Sequence, residues 1–147
     1  VPWIAQWPRV IRAGQTSAQH CMTMDWSATI LAACGVEADS KHPLDGVSLM
    51  PVLQGGQPFE RPMHWRMNHR SQRAMRSGPW KYLQVDANEY LFNIDADARE
   101  RSNQAHRHPD RMAAMRDAWL TWNQSMPPIP ADATVSLGYS VKDMPQR

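Results

Sequence analysis

Alternating and helically spaced apolar positions mark out the second half of the chain most clearly. A short strand over residues 73–76 and a stronger one over residues 80–85 are parted by the turn residues Ser77, Gly78 and Pro79. Asp86, Ala87 and Asn88 make a second turn. A third strand over residues 89–94 then puts Tyr90, Phe92 and Ile94 on one face and Leu91 and Asn93 on the other. Residues 63–67 read as a further strand arriving at the edge. A sheet this small with an apolar face needs a cover. Residues 109–126 supply it, because Met112, Met115, Trp119, Trp122 and Met126 fall on one helical stripe while Arg111, Arg116, Asp117 and Asn123 fall elsewhere. Pro109 suits a first turn, Asp110 suits the positive end of the helix dipole, and Pro127-Pro128 ends the helix. The tryptophans and methionines of the stripe are expected to pack a core.

The first half is less regular. Residues 1–7 read as an extended segment closed by Pro8, and residues 9–19 as a loop around Gly14. Residues 24–34 predict a helix with Asp25 as N-cap, Gly35 as the stop, and Trp26, Ile30, Leu31 and Cys34 as its packed side. After a polar loop, residues 46–54 predict one or two helical turns closed by Gly55-Gly56. A charged connector over residues 95–107 leads into the last helix. Residues 127–147 hold four prolines and little periodicity, and they are expected to wrap on the body or a partner or to stay disordered.

Composition adjusts this picture in two places. Of 147 residues 42% are hydrophobic, enough for a core, yet ten methionines, seven tryptophans and twelve prolines concentrate the apolar surface in a few large side chains. Mean hydropathy is -0.60. A net charge of +2, with arginines scattered among acids, argues against nucleic-acid binding. Two cysteines, Cys21 and Cys34, lack metal-ligand spacing and read as two buried thiols, which favours a reducing, cytoplasmic compartment. No apolar run is long enough to span a bilayer. The opening Val-Pro-Trp-Ile-Ala reads as a cut through a longer protein.

Residue chemistry by itself yields no self-contained active site. Neither cysteine has the histidine base and orienting group that a nucleophile needs. The six histidines form no ligand grouping, and phosphate-loop, nucleophile-elbow and zincin patterns are absent. The most suggestive cluster is His64, Trp65, Arg66, His69, Arg70 and Arg73, where arginines could hold an anion and Trp65 could stack on a sugar. His64, Arg66, Arg70 and Arg73 are the candidate substrate-binding residues. The plain alternative is a solvated edge strand with a packed tryptophan, and Lys81 reads as an outward-facing residue.

The order of the pieces resembles the C-terminal part of the sulfatases, in the alkaline-phosphatase-like superfamily. Val1-Pro-Trp-Ile-Ala-Gln-Trp-Pro looks like the strand after that family's Glu-Gly-Gly-x-Arg segment. Met24-Asp-Trp-Ser-Ala-Thr-Ile-Leu-Ala-Ala-Cys-Gly35 is similar to its Asp-x-x-Pro-Thr-Leu helix, and Leu44-Asp-Gly-Val-Ser-Leu-Met-Pro-Val-Leu-Gln-Gly55 to its Asp-Gly-x-Ser-Leu stretch. Arg76-Ser-Gly-Pro-Trp-Lys-Tyr82 and Glu89-Tyr-Leu-Phe-Asn-Ile-Asp-Ala-Asp-Ala-Arg-Glu-Arg-Ser-Asn103 look like its Arg-x-Gly-x-Trp-Lys and Glu-Leu-Tyr-Asp-Leu-x-x-Asp-Pro-x-Glu-x-x-Asn runs. Ala28 and Ala98 stand where the family has proline.

The resemblance implies an α+β fold: a small antiparallel sheet of three to four strands covered by a long C-terminal helix, preceded by a remnant strand and helices of a truncated α/β sulfatase core. It divides the chain into residues 1–58, the end of the main domain; 59–126, a sheet-plus-helix subdomain; and 127–147, a proline-rich tail. The family's formylglycine cysteine lies in Cys-x-Pro-x-Arg, which neither Cys21 nor Cys34 matches, and its calcium-binding acids, Asp-Asn-Gly segment and active-site lysine precede this chain's start. The implied role is therefore to complete the fold of a sulfuric ester hydrolase and form one wall of its substrate cleft, with no cofactor in this chain, calcium in the full-length parent, and an isolated piece that is inactive. The implied partners are the missing N-terminal catalytic part and an anionic sulfate ester, with no nucleic acid and no membrane. An assembly module, possible as a homo-oligomer, and the C-terminal part of a phosphonate or phosphodiester hydrolase are the alternatives.

Overall fold

Four antiparallel strands are laid down in chain order: β1 (Met63–Met67), β2 (Gln72–Ser77), β3 (Trp80–Val85) and β4 (Asn88–Asn93). The structure, a computed structural model, describes residues 2–130 and 132–133, so most of the expected tail lies outside the described residues. By contacts the chain divides into two units, Val1–Glu60 and Arg61–Arg147.

In the Arg61–Arg147 unit the register pairs His64 with Met75, Arg66 with Arg73, Met75 with Tyr82, and Tyr82 with Leu91. Side chains alternate across a strand, so these pairs share one face. Helix α3 (Pro109–Gln124) lies on that face and buries Met112, Met115 and Trp119 against Met75, Tyr82 and Leu91. The stripe predicted from spacing is thus the packed one. The face it covers differs from the expected one, for Tyr90 and Phe92 point to the opposite side, where their rings stack at 6.0 Å. That side is buried as well, with Met63, Val85, Tyr90 and Phe92 inaccessible. With apolar residues on both faces, strand alternation does not say which one the helix takes.

Both outer edges of the sheet are engaged, β4 by several bonds and β1 at one carbonyl. The Trp119 indole Nε1 donates to the Trp65 carbonyl of β1 at 3.0 Å. Along β4, the Leu91 N–H donates to Asn103 Oδ1, the Asn103 amide donates to the Glu89 carbonyl, and the Gln104 N–H donates to the Leu91 carbonyl.

The Val1–Glu60 unit contains α1 (Asp25–Ala33) and α2 (Met50–Leu53). Residues 2–7 are irregular and not extended into a strand, having no neighbour to pair with. Helix α1 is turned the other way from expectation: Trp26 and Ile30 are 40% and 53% exposed, whereas Asp25 and Thr29 are buried. Asp25 sits in the first turn, with Met24 as N-cap, and its carboxylate reaches away from α1's own amides: Oδ2 accepts from the Met22 N–H at 2.7 Å and Oδ1 from the Val47 N–H at 3.0 Å. Thr29 Oγ1 donates to the Asp25 carbonyl and accepts from the Leu49 N–H. These bonds draw residues 46–49 so close to α1 that a Cβ on Gly46 would lie 2.2 Å from the Met24 carbonyl oxygen. Cys21 is half-buried and Cys34 exposed, so the expectation of two buried thiols fails; both are unpaired.

Candidate functional site

Strand β1 and the start of β2 bring three of the four sequence-derived candidates, His64, Arg66 and Arg73, to one face, and each has work to do within the fold. His64 faces α3 and stacks on Trp122 with centroids 4.8 Å apart and planes 8° off parallel, and burial holds its pKa below the usual imidazole value. Next on that face, Arg66 donates to Asn123 Oδ1 at 3.1 Å and to the Pro127 carbonyl at 2.6 Å. It thereby places a cation at the negative end of α3, whose own last turn has none. Arg73, its cross-strand partner, lays its guanidinium over the Trp119 ring at 4.7 Å.

Arg70 lies elsewhere, in the single 3-10 turn His69–Ser71 that joins β1 to β2. It and Ser71 adopt left-handed φ values of 53° and 48°. Arg70 Nε and Nη2 both donate to Asp86 Oδ2, at 3.0 and 2.7 Å, and its carbonyl accepts from the Asp86 N–H. The β1–β2 and β3–β4 turns are tied together at one end of the sheet. Trp65 is 42% exposed on the face away from α3.

Sequence reading missed a polar knot under the helix. Glu89 accepts from Arg116 Nε at 2.7 Å and from the buried Tyr82 hydroxyl at 2.8 Å. The Arg116 hydrogen bond is the main force holding the Glu89 pKa below the usual carboxylate range, and Glu89 in turn raises that of Arg116. Burial first, and then the bond to Glu89, push the Tyr82 phenol up. The signal was available only as Tyr82, Glu89 and Arg116 falling on facing surfaces once the register is known.

The residues that carry the family resemblance are also committed. Lys81 Nζ meets both Glu100 oxygens at 2.8 Å, on the face opposite α3. Asn103 accepts from Leu91 and Ala105 and donates to Glu89, which fastens the connector to β4. Among the described residues no three His, Cys, Asp or Glu side chains are grouped to hold a metal, so the calcium implied by the family has no fitting donor set here. No described helix is long and apolar enough to cross a membrane.

Comparison with known proteins bears on what this arrangement belongs to. No family model matches. The chain is 41% identical over 64 residues to the N-acetylgalactosamine-6-sulfatase of Sus scrofa, covering 44% of this chain and 12% of that protein. It is 30% identical over 119 residues to the N-acetylglucosamine-6-O-sulfatase of Bacteroides thetaiotaomicron, covering 70% of this chain and 21% of that one. The chain thus spans between about an eighth and a fifth of these relatives. In fold it matches the crystal structure of Ps i-CgsB with a TM-score of 0.69 at 22% identity, over 79% of this chain and 27% of that chain; the same protein is also solved in complex with k-i-k-neocarrahexaose. Motif order, identity and the sheet-plus-helix architecture agree, and the chain belongs with the C-terminal part of the sulfatases, in the alkaline-phosphatase-like superfamily.

Proposed function

We propose that this chain serves a sulfuric ester hydrolase as its C-terminal scaffold, completing the fold and forming one wall of the substrate cleft while the formylglycine and a calcium site lie in the rest of the protein. The observation that carries this reading is the orientation of α1. A helix that buries Asp25 and Thr29 and leaves Ile30 53% exposed, and Trp26 40% exposed with Trp3 edge-on against it, presents an apolar side that needs more cover, and the larger part of a sulfatase supplies it. The commitments of Lys81, Glu100 and Asn103 within the fold support the same reading, since the residues shared with the family here hold structure together.

His64, Arg66, Arg70 and Arg73 are this wall's basic candidates, with Arg66 and Arg73 also securing α3. A sulfate ester, rather than a phosphonate or phosphodiester, is favoured by the sulfatase names of the sequence relatives. The test is the hydrolysis of an aryl sulfate by the 147-residue chain, with and without added calcium, beside a sulfatase-length protein that contains it. A silent chain and an active longer protein are expected; turnover by the chain alone overturns the reading. If the longer protein is active and alanine at Arg66 and Arg70 changes only its size on a sizing column, the assembly-module reading replaces the cleft wall.

A further inference from the structure

Between residues 95 and 111 the sequence is balanced, with Asp95, Asp97, Glu100 and Asp110 against Arg99, Arg101, Arg107 and Arg111. The fold engages three of the four acids and none of the arginines' guanidinium groups in ion pairs among the described residues. Asp97 is spent on the chain itself, its Oδ2 accepting from the Arg101 and Ser102 N–H groups at 2.7 and 2.8 Å. Glu100 closes on Lys81, helped by a left-handed φ of 54° that turns the chain back on the sheet. Asp95 lies 3.9 Å from Arg76. The four arginines are engaged by none of these acids: all are exposed, and none makes an ion pair among the described residues.

His106 and His108 are exposed among them. At the helix start this surface has a rigid floor, because Trp80 takes the His108 ring edge-on at 4.9 Å and the Arg111 guanidinium over its face at 4.7 Å. Asp95 and Asp110 are the exposed acids left in the segment, against four exposed arginines. Guanidinium groups suit such a surface to oxyanions, whose oxygens they meet two at a time.

We propose that this band, Arg99, Arg101, His106, Arg107, His108 and Arg111, docks a sulfated polysaccharide, giving the protein a contact with polymeric substrate away from the β1 candidates. The inference rests on the sulfatase reading for its choice of polyanion: sulfate esters repeated along a sugar chain offer fixed single charges to a row of separate arginines. Such a contact raises the local concentration of substrate and weakens with salt.

The test is binding of the 147-residue chain to immobilised chondroitin 6-sulfate through a salt gradient. Hyaluronan, which has carboxylates and no sulfate, and duplex DNA serve as comparators. Retention by chondroitin 6-sulfate above both comparators is expected, and the Arg99→Gln/Arg101→Gln/Arg107→Gln/Arg111→Gln variant should bind at least about fifteenfold more weakly, each exposed contact being worth a factor of about two to five. Because Arg111 touches Trp80, the triple variant that leaves it in place is measured as well and should lose most of the same affinity. An Arg9→Gln/Arg12→Gln variant, which removes exposed charge from the other unit, should bind as the parent chain does. The proposal is overturned if the chain is not retained at low salt, if the Arg9→Gln/Arg12→Gln variant loses as much per charge removed as the triple variant, or if DNA is held more tightly. Since no hydrolysis is measured, failure here is separable from failure of the sulfatase reading.

Discussion

The Val1–Glu60 and Arg61–Arg147 units are held together by opposite means. In the second, an apolar stripe on α3 meets an apolar sheet face, and the polar groups are arranged around that contact. In the first, Leu49 and Val52 are the only buried hydrophobic residues among the described ones, and cohesion comes from side chains bonding to backbone: Asp25 and Thr29 to residues 22, 47 and 49, Gln15 to Leu53, and Gln19 to Phe59 in both directions. An element pinned through its polar face leaves its apolar face for something else. The second unit carries its core within itself, while the first displays apolar surface suited to an outside partner.

The sharpest way to break that contrast is to remove the centre of the helix–sheet contact. Trp119→Ala should cost about 4 kcal/mol, read as a lower urea midpoint, because it removes a buried ring and its bond to the β1 edge. In the first unit, Gly46→Ala forces a methyl onto the Met24 carbonyl, and Asp25→Ala strands two N–H groups; each should cost about 3 kcal/mol and abolish amide-exchange protection at Val47. If either substitution left that protection intact, polar pinning would not be what orders the unit.

A smaller effect is expected from Glu89→Ala, about 1 kcal/mol, since the Tyr82 hydroxyl keeps Gln84 Oε1 at 3.1 Å as an acceptor and the Arg116 pair is partly solvated. It has a pH signature. Glu89 titrates lower in the folded chain than in the unfolded chain, so its contribution is complete above the ordinary Glu range and is lost as pH falls through its depressed value. His64 has the same sign in a higher window: burial favours its neutral form, so stability declines as pH falls below the ordinary imidazole value, and His64→Phe should flatten that slope in thermal melts from pH 7 to 5. The smallest effect is predicted for Ile30→Glu, within about 0.5 kcal/mol of the parent chain, because the residue it replaces is more than half exposed. Unfolding by Ile30→Glu would show that α1's apolar side is packed in this chain after all.

Much of the second unit was legible from spacing alone. Period-two runs located β2, β3 and β4 to within a residue or two, and Met112, Met115 and Trp119 identified the covering stripe. The helix-covered face was not legible, because Leu91 and its neighbours Tyr90 and Phe92 are all apolar and only the register with Tyr82 separates them. Nor was the fate of the candidate basic residues. Arg66 and Arg70 look alike in sequence, yet one caps α3 and the other bridges two turns, through partners 57 and 16 residues away. Asp25 was legible as a helix-start residue, but its reach to Val47 was not, since that bond depends on how tightly Gly46 lets the chain approach. The sulfatase relationship was readable because its motif residues, Lys81, Glu100 and Asn103 among them, build the fold and so keep fixed spacings.

The engaged sheet edges also set an order of events at the ribosome. The β4 edge closes as soon as Asn103 and Gln104 have been made, but the β1 carbonyl at Trp65 waits for Trp119, more than fifty residues later in synthesis. During that interval the nascent chain carries a finished strand with an unsealed margin, the state in which strands recruit one another. The last helix is therefore the step that engages the β1 margin and lessens its exposure to a further strand.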